Sequence, residues 1–181
     1  MNSLSKYKRI CKTPVAGACR ISEVSFVTGV FDIGLLFCPN APKPNKPNLV
    51  GATILIEYNN MLLLEHRVDS ERWAIIGGSL KNDESFVECA IRETLEETAI
   101  ELDESMLGDS KMYDDPSIII SYPDGNIFRS ITIAYRVKLA EEPKLICSEE
   151  SKELKFFTKE ELKSVKIVET HIPILHDYLQ E

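Results

Sequence analysis

Hydrophobic patterning is clearest from residue 49 onward. The apolar, β-branched run LVGATILIEY, the turn pair Asn59-Asn60 and a second apolar run, MLLLEHR, together predict a β-hairpin. After the polar loop VDSER, the stretch WAIIGGSL leads into a segment of different period. There Phe86, Val87, Ala90, Ile91 and Leu95 recur at helical spacing. They predict a helix that opens at Asp83 as N-cap, with Glu84 placed to suit the macrodipole.

Downstream, a loop containing Gly108 and Asp114-Asp115-Pro116 precedes a second hairpin signal. Its parts are a short strand over 117–122, a turn at 123–126 and a longer strand over 128–139. Residues 154–157 read as a further strand. Thr158 then caps a short helix, with Glu161 completing a capping box. A terminal helix over 171–180 turns Ile172, Leu175, Tyr178 and Leu179 inward, and Pro173 is tolerated in its first turn. The order of strands and helices predicts an α/β (α+β) sandwich with a mixed β-sheet between helices.

Residues 1–47 carry a weaker pattern. Val24 to Phe31 reads as a strand, and APKPNKPN (41–48) as an extended, proline-rich linker. The expected organisation is an N-terminal arm over 1–47 and a globular domain over 48–181. Such an arm either covers a sheet edge, exchanges with a second subunit to give a homodimer, or packs as a simple extension.

Composition narrows the function classes. The 181 residues are 44% hydrophobic and 28% charged, enough for one sizeable core. A net charge of −8 argues against a duplex nucleic acid partner. The apolar stretch Ile21 to Cys38 carries Glu23 and Asp32 and is broken by Gly29 and Gly34, so no membrane span is expected. The basic N-terminus is not followed by an uninterrupted apolar run, and a cytoplasmic location is expected. Five cysteines without CxxC spacing read as free thiols rather than disulfides, a zinc site at Cys11, Cys19 and Cys38 being the lesser alternative. Cys89, on the predicted helix, reads as packing.

The chemistry concentrates on that helix. Glu93, Glu96 and Glu97 stand at i, i+3 and i+4, so their carboxylates share one side of it. Like charges so placed cost roughly 0.2–0.5 kcal/mol per pair. A hard divalent cation, or Arg92 beside them, would offset that cost. The alternative is a solvated acidic face.

The flanking residues decide between these readings. Residues 78–100 resemble the Nudix box, G-x5-E-x7-R-E-U-x-E-E-x-G-U, with U aliphatic. Gly78, Glu84, Arg92, Glu93, Glu96, Glu97 and Ile100 match with the spacing intact. Thr94 and Ala99 depart from the pattern, as does Ile76, where many members have proline. The likeness extends over residues 49–179. It implies a Nudix-type fold and Mg2+-dependent hydrolysis (Mn2+ being an alternative) of a pyrophosphate bond in a nucleoside diphosphate-linked substrate. On the same resemblance Glu93, Glu96, Glu97 and the Gly77 carbonyl hold the metal, with Gly78 and Glu84 in support. Arg92 orients Glu93. The general base is Glu93 or, preferred, Glu150 from a later loop, where Glu149 and Glu153 are close neighbours.

For substrate contacts the candidates are Arg67 and Arg129. Pro116 resembles a position characteristic of ADP-ribose hydrolysing members, whereas Tyr113 and Tyr122 resemble one of dinucleoside polyphosphate hydrolases. These cues oppose each other, leaving a small nucleotide or nucleotide sugar. Trp73 reads as packing before stacking on substrate, and His171 and His176 as packing or surface residues. The rival reading is a non-catalytic nucleotide-binding or regulatory module on the same fold.

Overall fold

A computed structural model describes residues 43–122 and 124–181. Most of the expected arm, including Cys11, Cys19, Cys38 and the strand expected at Val24 to Phe31, lies outside the described residues. The chain divides into two compact units. Among the described residues, the smaller comprises 43–49 and 114–130, and the larger 50–113 and 131–181.

The hairpin at the start of the larger unit forms as the sequence dictates. Strand β1 (Leu49–Tyr58) pairs antiparallel with β2 (Met61–Arg67). Asn59 and Asn60 both adopt positive φ, at 48° and 60°, which is the two-residue turn that matches strand twist. Strands β3 (Trp73–Ala74) and β4 (Ile76–Ser79) pair back onto β2 and β1 respectively. Helix α1 (Phe86–Thr98) follows. Strand β5 (Ser110–Tyr113) occupies what the sequence predicts as loop, because its mostly exposed residues lack strand-like alternation. In the smaller unit, β6 (Ile119–Ser121) pairs with the first residues of β7 (Ile127–Leu139). There the linker is also tied down: the Asn45 side chain donates to Gly125 O and accepts from Ile127 N–H.

Strand β8 (Ser151–Thr158) pairs with β2, and the capping box at Thr158 and Glu161 opens α2 (Lys159–Leu162). Helix α3 (Ile172–Gln180) ends the chain. The sheet of the larger unit runs β3-β2-β1-β7-β5, with β4 added on β1 and β8 on β2. It is a mixed sheet with flanking helices, the expected α+β sandwich. Among the described residues, no helix is long and apolar enough to cross a membrane.

Alternation along the central strands builds a core on each face. Leu55, Leu62 and Leu64 point into a cluster with Leu162, Ile174, Leu175 and Tyr178 from the C-terminal helices. Ile54, Ile56 and Leu63 point the other way, toward Ile76, Ile100 and Val137. On α3 the buried set is Ile174, Leu175 and Tyr178, so Ile174 takes the inner place expected of Ile172 and Leu179, which are partly buried.

Two expectations about α1 need correction. Its N-cap is Ser85, not Asp83: the Ser85 hydroxyl accepts from Glu88 N–H while Glu88 reaches back to Ser85 N–H. The buried face is Cys89, Ala90, Thr94, Glu97 and Thr98, whereas Leu95 is exposed. Small residues bring the helix close to β4, and the buried Thr94 and Thr98 hydroxyls donate to the carbonyls one turn back, at 2.7 and 2.6 Å. Thr94 therefore replaces an aliphatic residue without leaving a polar atom unpaired. Ala99 closes the helix in the left-handed region, at φ 60° and ψ 20°, with its N–H on Leu95 O.

Left-handed backbone costs a residue with a Cβ roughly 1–2 kcal/mol, and glycine's extra unfolded-state freedom returns about 0.4–1 kcal/mol of that. Ala99→Gly should therefore stabilise the fold by about 0.5–1 kcal/mol in urea unfolding. A second expectation concerns His171, whose Nδ1 accepts the Ile75 N–H at 3.0 Å. Burial holds this imidazole down to about 4, from an ordinary 6.5. The unfolded chain therefore takes up the proton first. Stability from the neutral ring is complete above the unfolded value and is lost as pH falls through the folded one. At roughly 1.4 kcal/mol per unit the loss is up to about 3 kcal/mol, and urea titrations of wild type against His171→Gln between pH 6.5 and 4 should isolate it.

Candidate functional site

The glycine pair and α1 form the centre of the site. Gly77 has φ 149°, and a Cβ there would meet Ala52 O at 2.4 Å and Thr53 Cα at 2.6 Å. Its conformation and its neighbours both demand glycine. Gly78 differs: a Cβ would lie 2.3 Å from Glu93 Oε1 and 2.4 Å from its Cδ. The space beside Gly78 is thus filled by the Glu93 carboxylate. Arg67 and His66 end β2 nearby in sequence, and His66 stacks on Trp73 with centroids 5.0 Å apart. Trp73 packs edge-on against Phe157 at 4.6 Å, the structural role expected for it.

Arg92 gathers the acids. Its Nε and NH2 donate to the two oxygens of Glu84, at 2.8 and 2.6 Å. NH1 lies 2.8 Å from Glu93 Oε1 and 2.9 Å from Glu96 Oε2. NH2 also reaches Ser79 O at 3.3 Å. Glu84 precedes the helix and accepts Lys81 N–H as well, so it fixes the polar turn between β4 and α1. Hydrogen bonds from Arg92 hold its carboxyl down to about 2.

Glu97 points inward instead. Its Oε2 accepts Gly77 N–H at 3.1 Å, and only 6% of the residue is exposed. Burial, with the charges of Glu65 and Glu93 adding to it, pushes its carboxyl up to about 8. A buried acid surrounded by other acids favours the arrival of positive charge. The donors are all oxygen, as a hard divalent ion requires, and the chain supplies more carboxylates here than Arg92 can satisfy. Among the described residues, no three acidic, histidine or cysteine side chains are already gathered as a cage.

A later loop also reaches this region. Ile146 N–H donates to Thr98 O at the end of α1, and Glu150 O accepts Val68 N–H just beyond β2. Glu150 itself is exposed. Glu65, which the sequence reading passed over, is fully buried on β2 and lies close enough to raise the pKa of Glu97. The sequence carried no signal for this: Glu65 directly follows an unbroken apolar run in MLLLEHR, as a residue leaving the core for water would.

The two arginines proposed for substrate are otherwise engaged. Arg67 donates to Glu65 through NH1 and to Asp69 through Nε and NH2. In the smaller unit, Arg129 donates to Asp114 O at 2.6 Å, and its buried Nε has no partner among the described residues. Of the tyrosines, Tyr113 donates to Asp177 while the exposed Tyr122 packs edge-on against Phe128.

Comparisons with known proteins bear on the family and the fold. The family model described as NUDIX domain matches residues 47–178. A bifunctional NMN adenylyltransferase/ADP ribose pyrophosphatase from Francisella tularensis, solved with AMP and a manganese ion, is 25% identical with a TM-score of 0.63. That match covers 76% of this chain and 43% of the other, so this chain spans less than half of that protein's length. A MutT protein from Methanosarcina mazei is similar in fold, at 19% identity and TM-score 0.59, covering 76% and 96% of the two chains. An Ap4A hydrolase from C. elegans is similar in fold at 16% identity and TM-score 0.55, covering 72% and 94%. A search of curated proteins gives no match.

The two glycines should respond differently to a methyl group. Gly77→Ala must move backbone and adopt a positive φ, so it should cost a few kcal/mol in urea unfolding. Gly78→Ala need only displace the end of the Glu93 side chain, and should stay within about 1 kcal/mol of wild type.

Proposed function

The chain belongs to the Nudix hydrolase family, enzymes that act on phosphoric anhydride bonds, and we propose that it hydrolyses the pyrophosphate link of a nucleoside diphosphate-linked substrate with Mg2+. The observation that carries this reading is the surplus of carboxylates around Gly77, Gly78 and α1, with Glu97 buried among them. Glu93, Glu96 and Glu97, with the Gly77 carbonyl, are the residues that would hold the ion. A divalent ion bound there supplies neutralising charge for the diphosphate oxygens and a more acidic water. Mn2+ serves the same chemistry.

The chain's own groups do the rest. Arg92 keeps Glu84 against the turn and holds Glu93 and Glu96 on one side of α1, ready to be drawn inward. Gly77 N–H fixes one Glu97 oxygen, leaving the other for coordination. Glu150, on a loop bonded to both Thr98 and Val68, takes the proton from the attacking water. The substrate is a small nucleotide or nucleotide sugar such as ADP-ribose. The F. tularensis relative, named for ADP ribose pyrophosphatase activity and solved with AMP, supports that class. A non-catalytic binding module is less favoured, because a protein that only binds has no need of Glu84, Arg92, Glu93, Glu96 and Glu97 together.

The test is hydrolysis of a panel of nucleoside diphosphate derivatives with Mg2+, Mn2+ or EDTA. Wild type should turn over at least one substrate with either ion and none in EDTA. Glu97→Gln should lower kcat by about 10²–10⁴-fold while keeping the fold by circular dichroism. Near-normal turnover by that variant would overturn the metal-binding role given to it.

A further inference from the structure

Strand β2 ends its inward row with a charge. Leu63 faces the cluster of Ile54, Ile56 and Ile76, and Glu65 two residues later is equally inaccessible to water. An acid sealed from solvent must be supplied with donors, and an apolar residue of like volume would serve packing better. Among the described residues Glu65 has two side-chain donors. Ser151 Oγ donates to its Oε2 at 2.6 Å, and Arg67 NH1 to its Oε1 at 3.0 Å.

Ser151 leads back to the loop before β8. It is buried, and its hydroxyl lies 3.4 Å from the Ser148 hydroxyl. Ser148 Oγ in turn accepts the Glu150 N–H at 3.2 Å. On its other side, the Glu150 peptide is held by Val68 N–H on its carbonyl at 2.9 Å. A buried acid on a rigid central strand is thus joined by side chains to the backbone of Glu150. Burial raises the Glu65 carboxyl, against the opposing bonds from Ser151 and Arg67, and the Glu150 charge contributes to the rise. Glu65 therefore lies within electrostatic reach of both Glu97 on α1 and Glu150 on the loop.

We propose that Glu65 is a positioning residue which, through Ser151 and Ser148, fixes the turn carrying Glu150 beside the acidic helix. This rests on the reading of Glu150 as proton acceptor in pyrophosphate hydrolysis. The buried acid is kept because it grips a hydroxyl on that loop. A loop anchored only by main-chain bonds would let the Glu150 carboxylate wander by an ångström, enough to cost about a hundredfold in rate.

The experiment uses the full chain, Mg2+ and the best substrate of the panel. Ser151→Ala and Glu65→Ala should each lower kcat about ten- to hundredfold with KM within about twofold. Glu65→Gln, which keeps an oxygen for Ser151, should retain most of the rate. Amide exchange at Glu150 and Val68 should quicken in Ser151→Ala, independently of turnover. Glu150→Gln should lose about 10²–10⁴-fold, and adding Ser151→Ala to it should cost nothing more, since both act through one group.

Additive losses in the double variant, or an unchanged kcat and unchanged exchange in Ser151→Ala, would overturn the proposal. A normal rate in Glu150→Gln beside an inactive Glu97→Gln would remove the base and this inference while leaving the hydrolase reading intact. Hydrolysis of no panel substrate by wild type would sink both. Should Glu65→Ala fail to fold, Ser151→Ala and Glu65→Gln still decide the matter.

Discussion

One guanidinium makes the centre of this protein feasible. Without Arg92, Glu84, Glu93 and Glu96 would crowd a single helical turn and the loop before it, each disfavouring the next. By donating through Nε, NH1 and NH2 together, Arg92 converts that repulsion into a fixed arrangement. It also ties α1 to the turn after Gly78 through Ser79 O. The helix, the turn and the acids therefore have one common support. Glu97 is the exception, turned inward onto a glycine N–H, and it retains the greatest need for a positive partner.

Much of this was legible in the chain. Apolar, β-rich runs on either side of Asn59-Asn60 gave the hairpin, because an asparagine pair tolerates the positive φ that a tight turn needs. The capping box at Thr158 and Glu161 formed as read. Spacing from Gly78 to Ile100 identified the acidic helix and its arginine, since side chains three and four apart on a helix must be neighbours. What escaped was set by tertiary contacts. Hydrophobicity assigned Leu95 to the inner face of α1, but the close approach of β4 selects small residues there, and threonines that bond their own helix fill it. The true N-cap was masked by Asp83, an equally good capping residue two positions before Ser85. Strand β5 has no alternation to detect, because its residues are mostly exposed and only pairing with β7 orders them.

Glu65 is the more instructive omission. A single sequence presents it as one acid at the end of an apolar strand, indistinguishable from a residue emerging into water. Only the pairing of β2 with both β3 and β8 seals it in and brings Ser151 against it. The chemistry of the region is therefore spread over strand, helix and loop. The contiguous motif supplies the cluster on α1, while the partners that hold the loop lie far from it in the chain.

Gly77 and Gly78, adjacent and chemically identical, are retained for unlike reasons. The first is required by main-chain atoms of β1, so any descendant lacking it must rebuild the sheet. The second keeps room for a carboxylate alone. Drift at position 78 would thus be invisible to whatever monitors folding in a cell, and a lineage released from selection for turnover would be expected to lose that glycine first.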